Sequence, residues 1–406
     1  MSRAVVTGIG VIAPNGVGVE DHWAATLSGE TGIRTLTGFD VDRYSARLAG
    51  QVVDFVAEER VPRRLLPQTD RMTRFALHAM LSAFEDARVD PADVDEYEGG
   101  VTLSNSCGGF EFSHRELNKL WGQGPEFVSA YLSFAWFYAC NTGQVSIMQG
   151  LRGPSAALVA EQAGGLDAIG YARRTLRRGA KLVVTGGVES AFDPWGWTAH
   201  LSTGRVSRAA DPARAYLPFD AEAGGYVPGE GGAILIVERP EQARERGAPR
   251  RYGEIAGYAA TFDPRPGSGR PPALRRAAEL ALADAGLAAA DVDAVFADAA
   301  ASPDLDRAEV EAITGLFGPF AVPVSAPKSL VGRLYAGGAP LDVVAALLAI
   351  RDGVLPAVPG GTRVPREYGI DLVVGEPRHV PVRRALVLAR GRGGFNSAMV
   401  VTAVDH

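Results

Sequence analysis

Cysteine is scarce in this chain, with Cys107 and Cys140 the two among 406 residues. Two thiols cannot make a disulfide framework, and they fit buried side chains in a reducing cytoplasm. Long apolar runs are missing too. No segment reaches the ~18 uninterrupted apolar residues of a membrane span, and the opening "MSRAVVTGIG" lacks the charged and long apolar regions of a signal peptide. A dense basic run is also absent. The nearest, "RRTLRRGAK" (173–181), reads as the solvated end of a helix, its cations complementing the dipole. With a formal net charge of −6, nucleic acid is excluded as a partner. The histidines, His22, His78, His114, His200, His379 and His406, share no metal-ligand spacing, so no zinc site is expected. His78 falls within an amphipathic pattern and reads as a hydrogen-bonded structural residue.

What is present is core-forming material: 47% of the residues are hydrophobic, ample for one large domain or two ordinary ones. The chain also repeats itself. "TDRMTRFALHAMLSAFEDARVDPADVD" (69–95) places Met72, Phe75, Ala76, Ala79, Met80, Ala83 and Phe84 at helical spacing, with Thr69 or Asp70 as the cap. "PPALRRAAELALADAGLAAADVD" (271–293) does the same with Leu274, Ala277, Ala278, Ala281, Leu282 and Ala285, and 85–95 aligns with 283–293 without a gap. A second echo follows in the same order, "AGGLDAIGYARRTLRRG" (163–179) against "AGGAPLDVVAALLAIRDG" (336–353). The expected fold is therefore an internally duplicated α/β protein, with halves 1–245 and 246–406 bridged by the charged segment 239–251. Each half has a helix apolar around most of its circumference, as burial between two sheets requires. The functional surface belongs where the halves meet.

Two glycine-rich stretches look like cofactor motifs and fail on inspection. "TGIGVIAPNG" (7–16) fits G-x-G-x-x-A at Gly8, Gly10 and Ala13, yet Pro14, Asn15 and Gly16 spell a turn where a dinucleotide fold needs a helix. "GGYVPGEGGA" (224–233) lacks the following lysine and hydroxyl residue of a phosphate cradle, and its glycines read as close backbone approaches before the strand "AILIVE". Cys107, in "SNSCGGF", has no identifiable base and reads as a packed thiol.

The informative stretch is "LVAEQAGGLDAIGYA" (158–172), an apolar strand running into a small-residue helix. A tight strand-to-helix bend exposes a nucleophile at the positive end of the helix dipole. Gln162 occupies the bend, and a primary amide has no lone pair that attacks an acyl group at neutral pH.

Together with "VVTGIGVIAPNG", "LPFDAEAGGYVPGEGGAILIVE", "KSLVGRLYAGGA" and "GRGGFNSAMVV", in that order and over almost the whole chain, this stretch resembles the β-ketoacyl synthases of the thiolase superfamily. The resemblance implies a thiolase-like fold in a layered α-β-α-β-α arrangement. It also implies a cysteine and two histidines, which hold the growing acyl chain, assist malonyl decarboxylation and stabilise the oxyanion. Here the cysteine position is Gln162 and the histidine positions are Asp298 and Arg333, an anion and a cation that cannot exchange protons near pH 7. Lys328, Asp306, Glu309 and Glu230 still match framework positions. Where the catalytic relatives usually carry a phenylalanine that gates the acyl route, this chain has Arg392, which is expected to join Asp298 and Arg333 in a salt-bridged plug.

Glutamine in "VAEQAGG", with "SAYLSFAWFYACNTGQVSI" (129–147), resembles the chain length factors, the β subunits of type II aromatic polyketide ketosynthases. That implies a cytoplasmic heterodimer with a catalytic ketosynthase α subunit, no cofactor of its own, no metal, and malonyl units delivered on the phosphopantetheine of an acyl carrier protein. Phe110, Ser113 and Leu117 stand at i, i+3 and i+7 of a helix over 109–121, and with Phe134 they match tunnel-lining positions. Ser113 and Leu117 are small for that role, which implies a long product, about ten or more two-carbon units instead of about eight. The alternative reading is a malonyl carrier protein decarboxylase using Gln162 as hydrogen-bond donor to the enolate oxygen.

Overall fold

The computed structural model describes residues 4–265 and 267–404; His406 lies outside them. The principal elements in chain order begin with β1 (Ala4–Ala13), α1 (Arg71–Ala87), β2 (Gly99–Ser104), α2 (Phe110–Gly122), α3 (Leu132–Ala135), β3 (Ser155–Leu158), α4 (Glu161–Arg177), β4 (Leu182–Glu189), α5 (Pro194–Leu201) and β5 (Gly231–Glu238). They continue with β6 (Gly253–Phe262), α6 (Leu274–Ala285), β7 (Ala294–Phe296), α7 (Pro303–Phe317), β8 (Pro323–Ser325), α8 (Gly338–Asp352), β9 (Asp371–Leu372), β10 (Arg384–Gly391) and β11 (Phe395–Thr402).

Both halves thread their strands alike. In the first, β3, β2 and β4 are parallel, and β5 and β1 follow antiparallel. In the second, β8, β7 and β10 are parallel, and β11 and β6 follow antiparallel. β1 and β6 pair at Ala4–Val6 against Gly253–Ile255, which joins the halves into one twelve-stranded sheet. α4 and α8 touch strands of both halves and form the central layer, while α1 packs outside the first half and α6 outside the second. This is the layered thiolase-like arrangement. α8 is buried at every position from Gly338 to Ala349, as a helix packed between the strands of both halves must be.

The repeated sequence carries repeated contacts. Asp86 accepts the Ile9 N–H at 2.9 Å, and its counterpart Asp284 accepts the Tyr258 N–H at 3.0 Å. A Cβ on Gly8 would lie 2.2 Å from the Ala83 carbonyl oxygen, and one on Gly257 2.1 Å from that of Ala281, so glycine lets each outer helix lie on its strand. Of the two candidate caps for α1, Asp70 serves, accepting the Met72 N–H at 2.9 Å.

Several expectations shift in detail. The apolar strand before Gln162 is β3, which ends at Leu158 and lies half-exposed at the end of the sheet. Segment 239–251 holds a short helix, Pro240–Glu245. Pro14 and Asn15 make the expected turn, a hairpin in which Gly16 pairs back with Ala13. His78 packs on the edge of Phe55, and its Nδ1 has no hydrogen-bond partner, so ring packing anchors it. Arg174 and Arg177 lie in the last turn of α4, but Arg173 is buried and paired with Asp284. Among the described residues no helix is long and apolar enough to cross a membrane.

Candidate functional site

The turn from β3 into α4 is tight: Ala160 has φ −145° and ψ 36°, and Glu161 adopts φ 49°, a left-handed conformation that costs a non-glycine residue energy. The strained residue is thus Glu161, one before the expected bend, and Gln162 follows it, fully buried (0% exposed). The Gln162 amide nitrogen donates to Asp298 Oδ1 at 2.8 Å. Asp298 comes from the opposite half, just beyond β7. Its Oδ1 also accepts the Arg390 N–H at 2.9 Å, and its Oδ2 faces the Arg333 guanidinium at 3.2 Å.

Arg333 reaches in from the loop before α8. Besides Asp298 it donates to Glu161 Oε1 at 3.3 Å and to the Arg390 carbonyl at 2.6 Å, and it lies over the Tyr226 ring at 5.5 Å. Burial pushes the Asp298 carboxyl up, but Arg333, Lys328 and the Arg390 N–H outweigh it, and the group is held below the usual carboxylate range. Burial opposes the charge on Arg333 as well, and Asp298 and Glu161 overcome it. The three sequence positions therefore meet in one buried, ion-paired cluster.

The expected role of Arg392 needs correction. Arg392 is exposed and reaches the cluster through its backbone, whose N–H donates to Glu161. The side chain that completes the plug is Glu161, and the residue that closes it is Arg390, through its peptide groups. Neither was legible beforehand, because a glutamate before a helix and a backbone carbonyl in a glycine-rich loop have no spacing signature.

The framework residues hold this cluster in place. Glu309 accepts the N–H groups of Asp298 and Ala299 at 2.7 and 2.8 Å, fixing Ala299 at φ 51°. Lys328 donates to the Ala297 carbonyl at 2.7 Å and pairs with Asp342 at 2.6 Å. Asp306 accepts the Phe219 N–H at 2.8 Å. Glu230 works elsewhere, tying Arg71, Ser190 and the Val52 N–H together. Cys107 is half-buried, and burial together with Glu189 raises its thiol well above the ordinary range, which keeps it protonated.

Chemically the cluster is closed. It contains no nucleophile, Arg333 cannot exchange a proton near neutrality, and a thiolate or enolate forming beside Gln162 would stand against the Asp298 anion.

The helix expected over 109–121 is α2. On it Ser113 is buried, its hydroxyl donating to the Gly109 carbonyl at 2.7 Å, while Phe110 and Leu117 are half-buried. Phe134 lies on α3, which packs against α2. The structure adds Trp195, on α5, stacked on Phe110 with ring centroids 4.5 Å apart. A tryptophan in "FDPWGW" has no sequence relation to Phe110, so that contact could not be read. His114 pairs with Asp193, the cap of α5, along the same flank.

Two family models match in tandem: the beta-ketoacyl synthase N-terminal domain over residues 1–243 and the C-terminal domain over 252–361. The chain is 57% identical to the tetracenomycin polyketide synthase ketoacyl synthase beta subunit of Streptomyces glaucescens, over 98% of this chain and 97% of that one. Among solved structures it resembles the ishigamide ketosynthase/chain length factor (TM-score 0.90, 25% identity). It also resembles a chain of a type II polyketide synthase acyl carrier protein in complex with its ketosynthase bound to the hexaketide (TM-score 0.89, 27% identity). Both matches cover 100% of each chain. The chain belongs to the β-ketoacyl synthase family, in the branch of the chain length factors, the β subunits of type II polyketide ketosynthases.

Proposed function

We propose that this chain is the non-condensing subunit of a type II polyketide ketosynthase heterodimer, shaping the tunnel into which a partner subunit extends a polyketide and so setting its length. The observation that carries this reading is the buried Gln162–Asp298–Arg333 cluster, which puts an amide and an ion pair where the family's catalytic cysteine and histidines belong. Condensation then falls to the catalytic α subunit. Malonyl units arrive on the phosphopantetheine of an acyl carrier protein in the cytoplasm, and this chain needs no cofactor of its own.

Support for a partner comes from the surface. Trp121, Phe127, Tyr131, Trp136, Phe137 and Tyr138 are all exposed, Trp121 at 83%, within eighteen residues. β3 ends the sheet beside exposed Val159. A monomer leaves few such aromatic surfaces and sheet edges uncovered.

In this reading Phe110, Ser113, Leu117 and Phe134 line the tunnel, and the small Ser113 and Leu117 leave room for a long chain. The decarboxylase alternative is disfavoured by the Asp298 anion, which takes the Gln162 donor and repels an enolate. Assaying carbon dioxide release from malonyl carrier protein with this chain alone, the α subunit alone and the co-purified pair separates the two readings. Release and condensation are expected with the pair and not with this chain alone. Release by this chain alone would establish the decarboxylase.

A further inference from the structure

Resting on the tunnel reading above, one buried acid on α2 has a task that lining residues do not explain. Glu116 is 1% exposed, on a helix whose neighbouring positions Arg115, Asn118 and Trp121 face solvent. Its Oε1 accepts from Lys119 Nζ at 2.8 Å and from Arg115 Nε at 3.3 Å. Its Oε2 accepts the backbone N–H of Ser129 at 2.8 Å and a second contact from Lys119 at 3.1 Å.

Ser129 opens the segment that carries Phe134. Its carbonyl accepts the Leu132 N–H at 3.0 Å and its hydroxyl the Tyr131 N–H at 3.2 Å, so holding Ser129 holds the first turn of α3. Tyr131 in turn meets Phe134 edge-on, ring centroids 5.9 Å apart. The far end of the segment is fixed independently. Gly109 donates to the Trp136 carbonyl at 3.1 Å, and a Cβ on Gly109 would stand 2.0 Å from the Ala135 carbonyl oxygen, a contact glycine alone permits. Segment 129–136 is thus fastened to α2 at both ends, by backbone at Gly109 and by one side chain at Glu116. Charge-assisted bonds are the strong kind, and burial makes their loss costlier.

We infer that Glu116 is a specificity-determining positioning residue: its carboxylate, by holding Ser129, sets the gap between Phe134 and the Ser113–Leu117 face of α2, and with it the length of the polyketide. Without that fastening the segment pivots about Gly109 and the gap widens.

The test uses the heterodimer with the α subunit and carrier protein, reading product length by mass spectrometry alongside malonyl consumption. Glu116→Ala is expected to broaden the products by at least one two-carbon unit, with consumption within about twofold of wild type. Glu116→Gln keeps an oxygen for Ser129 and is expected to retain the wild-type distribution. Glu116→Asp, whose shorter reach draws the carboxylate away from Ser129, is also expected to broaden it, and serves if the alanine variant fails to assemble. An unchanged length from an assembled Ala or Asp variant, while Leu117→Phe shortens the product, would overturn the role of Glu116. No change from Leu117→Phe either would overturn the tunnel reading and this inference with it.

Discussion

At the scale of single residues the site is defined by charge that must stay paired. Arg333 is 4% exposed and Asp298 1%, and removing one buried partner leaves the other uncompensated, at a cost of about 3–5 kcal/mol. Asp298→Ala is therefore expected to destabilise the protein by that amount in denaturant unfolding, with Arg333→Met milder because the Asp298 carboxyl it leaves behind can take up a proton, whereas the guanidinium left by Asp298→Ala cannot lose one. Gln162→Cys alone is expected to give no acyl-enzyme, since the introduced thiol faces the Asp298 carboxylate and has no base. How much of this was legible follows from the interactions themselves. Gln162, Asp298 and Arg333 were readable because the resemblance fixes their positions. Glu161 and Arg390 were not, because their part depends on a left-handed turn and on peptide groups that meet residues more than fifty positions away.

At the scale of elements the duplication was readable in α1 and α6, where buried residues recur at helical spacing and the following acidic turns align. Even the Asp86 and Asp284 contacts to the paired strands fall at aligned positions. β3 was legible as an apolar strand, but its place at the end of the sheet was not, because an apolar sequence does not reveal which strand ends a sheet. α2 was legible as a helix, but its neighbours were not: Trp195 from α5 and Ser129 from the segment before α3 reach it through tertiary contacts. If α2 is a tunnel wall, volume at its inner face decides length. Leu117→Phe, with Ser113 enlarged to leucine, is expected to shorten the product by one or more two-carbon units in an intact heterodimer, read by mass spectrometry.

At the scale of the whole molecule the buried acids give stability a pH dependence. Burial pushes Glu189 up to about 8, and Asp70 and Asp306 up to about 7. A raised folded-state pKa stabilises fully below the unfolded value, and the contribution is lost as pH rises through the folded value. The buried histidines act oppositely: burial lowers His22, His78 and His200 to about 4, so their contribution is present above about 6.5 and lost on acidification. Between about pH 6.5 and 8, among the described residues, these raised acids set the slope. The thermal midpoint is expected to fall across that window, and Glu189→Gln, which keeps an oxygen for the Ser106 and Cys107 N–H groups, should flatten the fall.

The central claim is that the plugged pocket takes no acyl group and a companion subunit makes the bonds. Intact-protein mass spectrometry of the assembled heterodimer during turnover with malonyl carrier protein tests it most directly. The account predicts acyl adducts on the α subunit and an unmodified mass for this chain; an acyl adduct on this chain would contradict it.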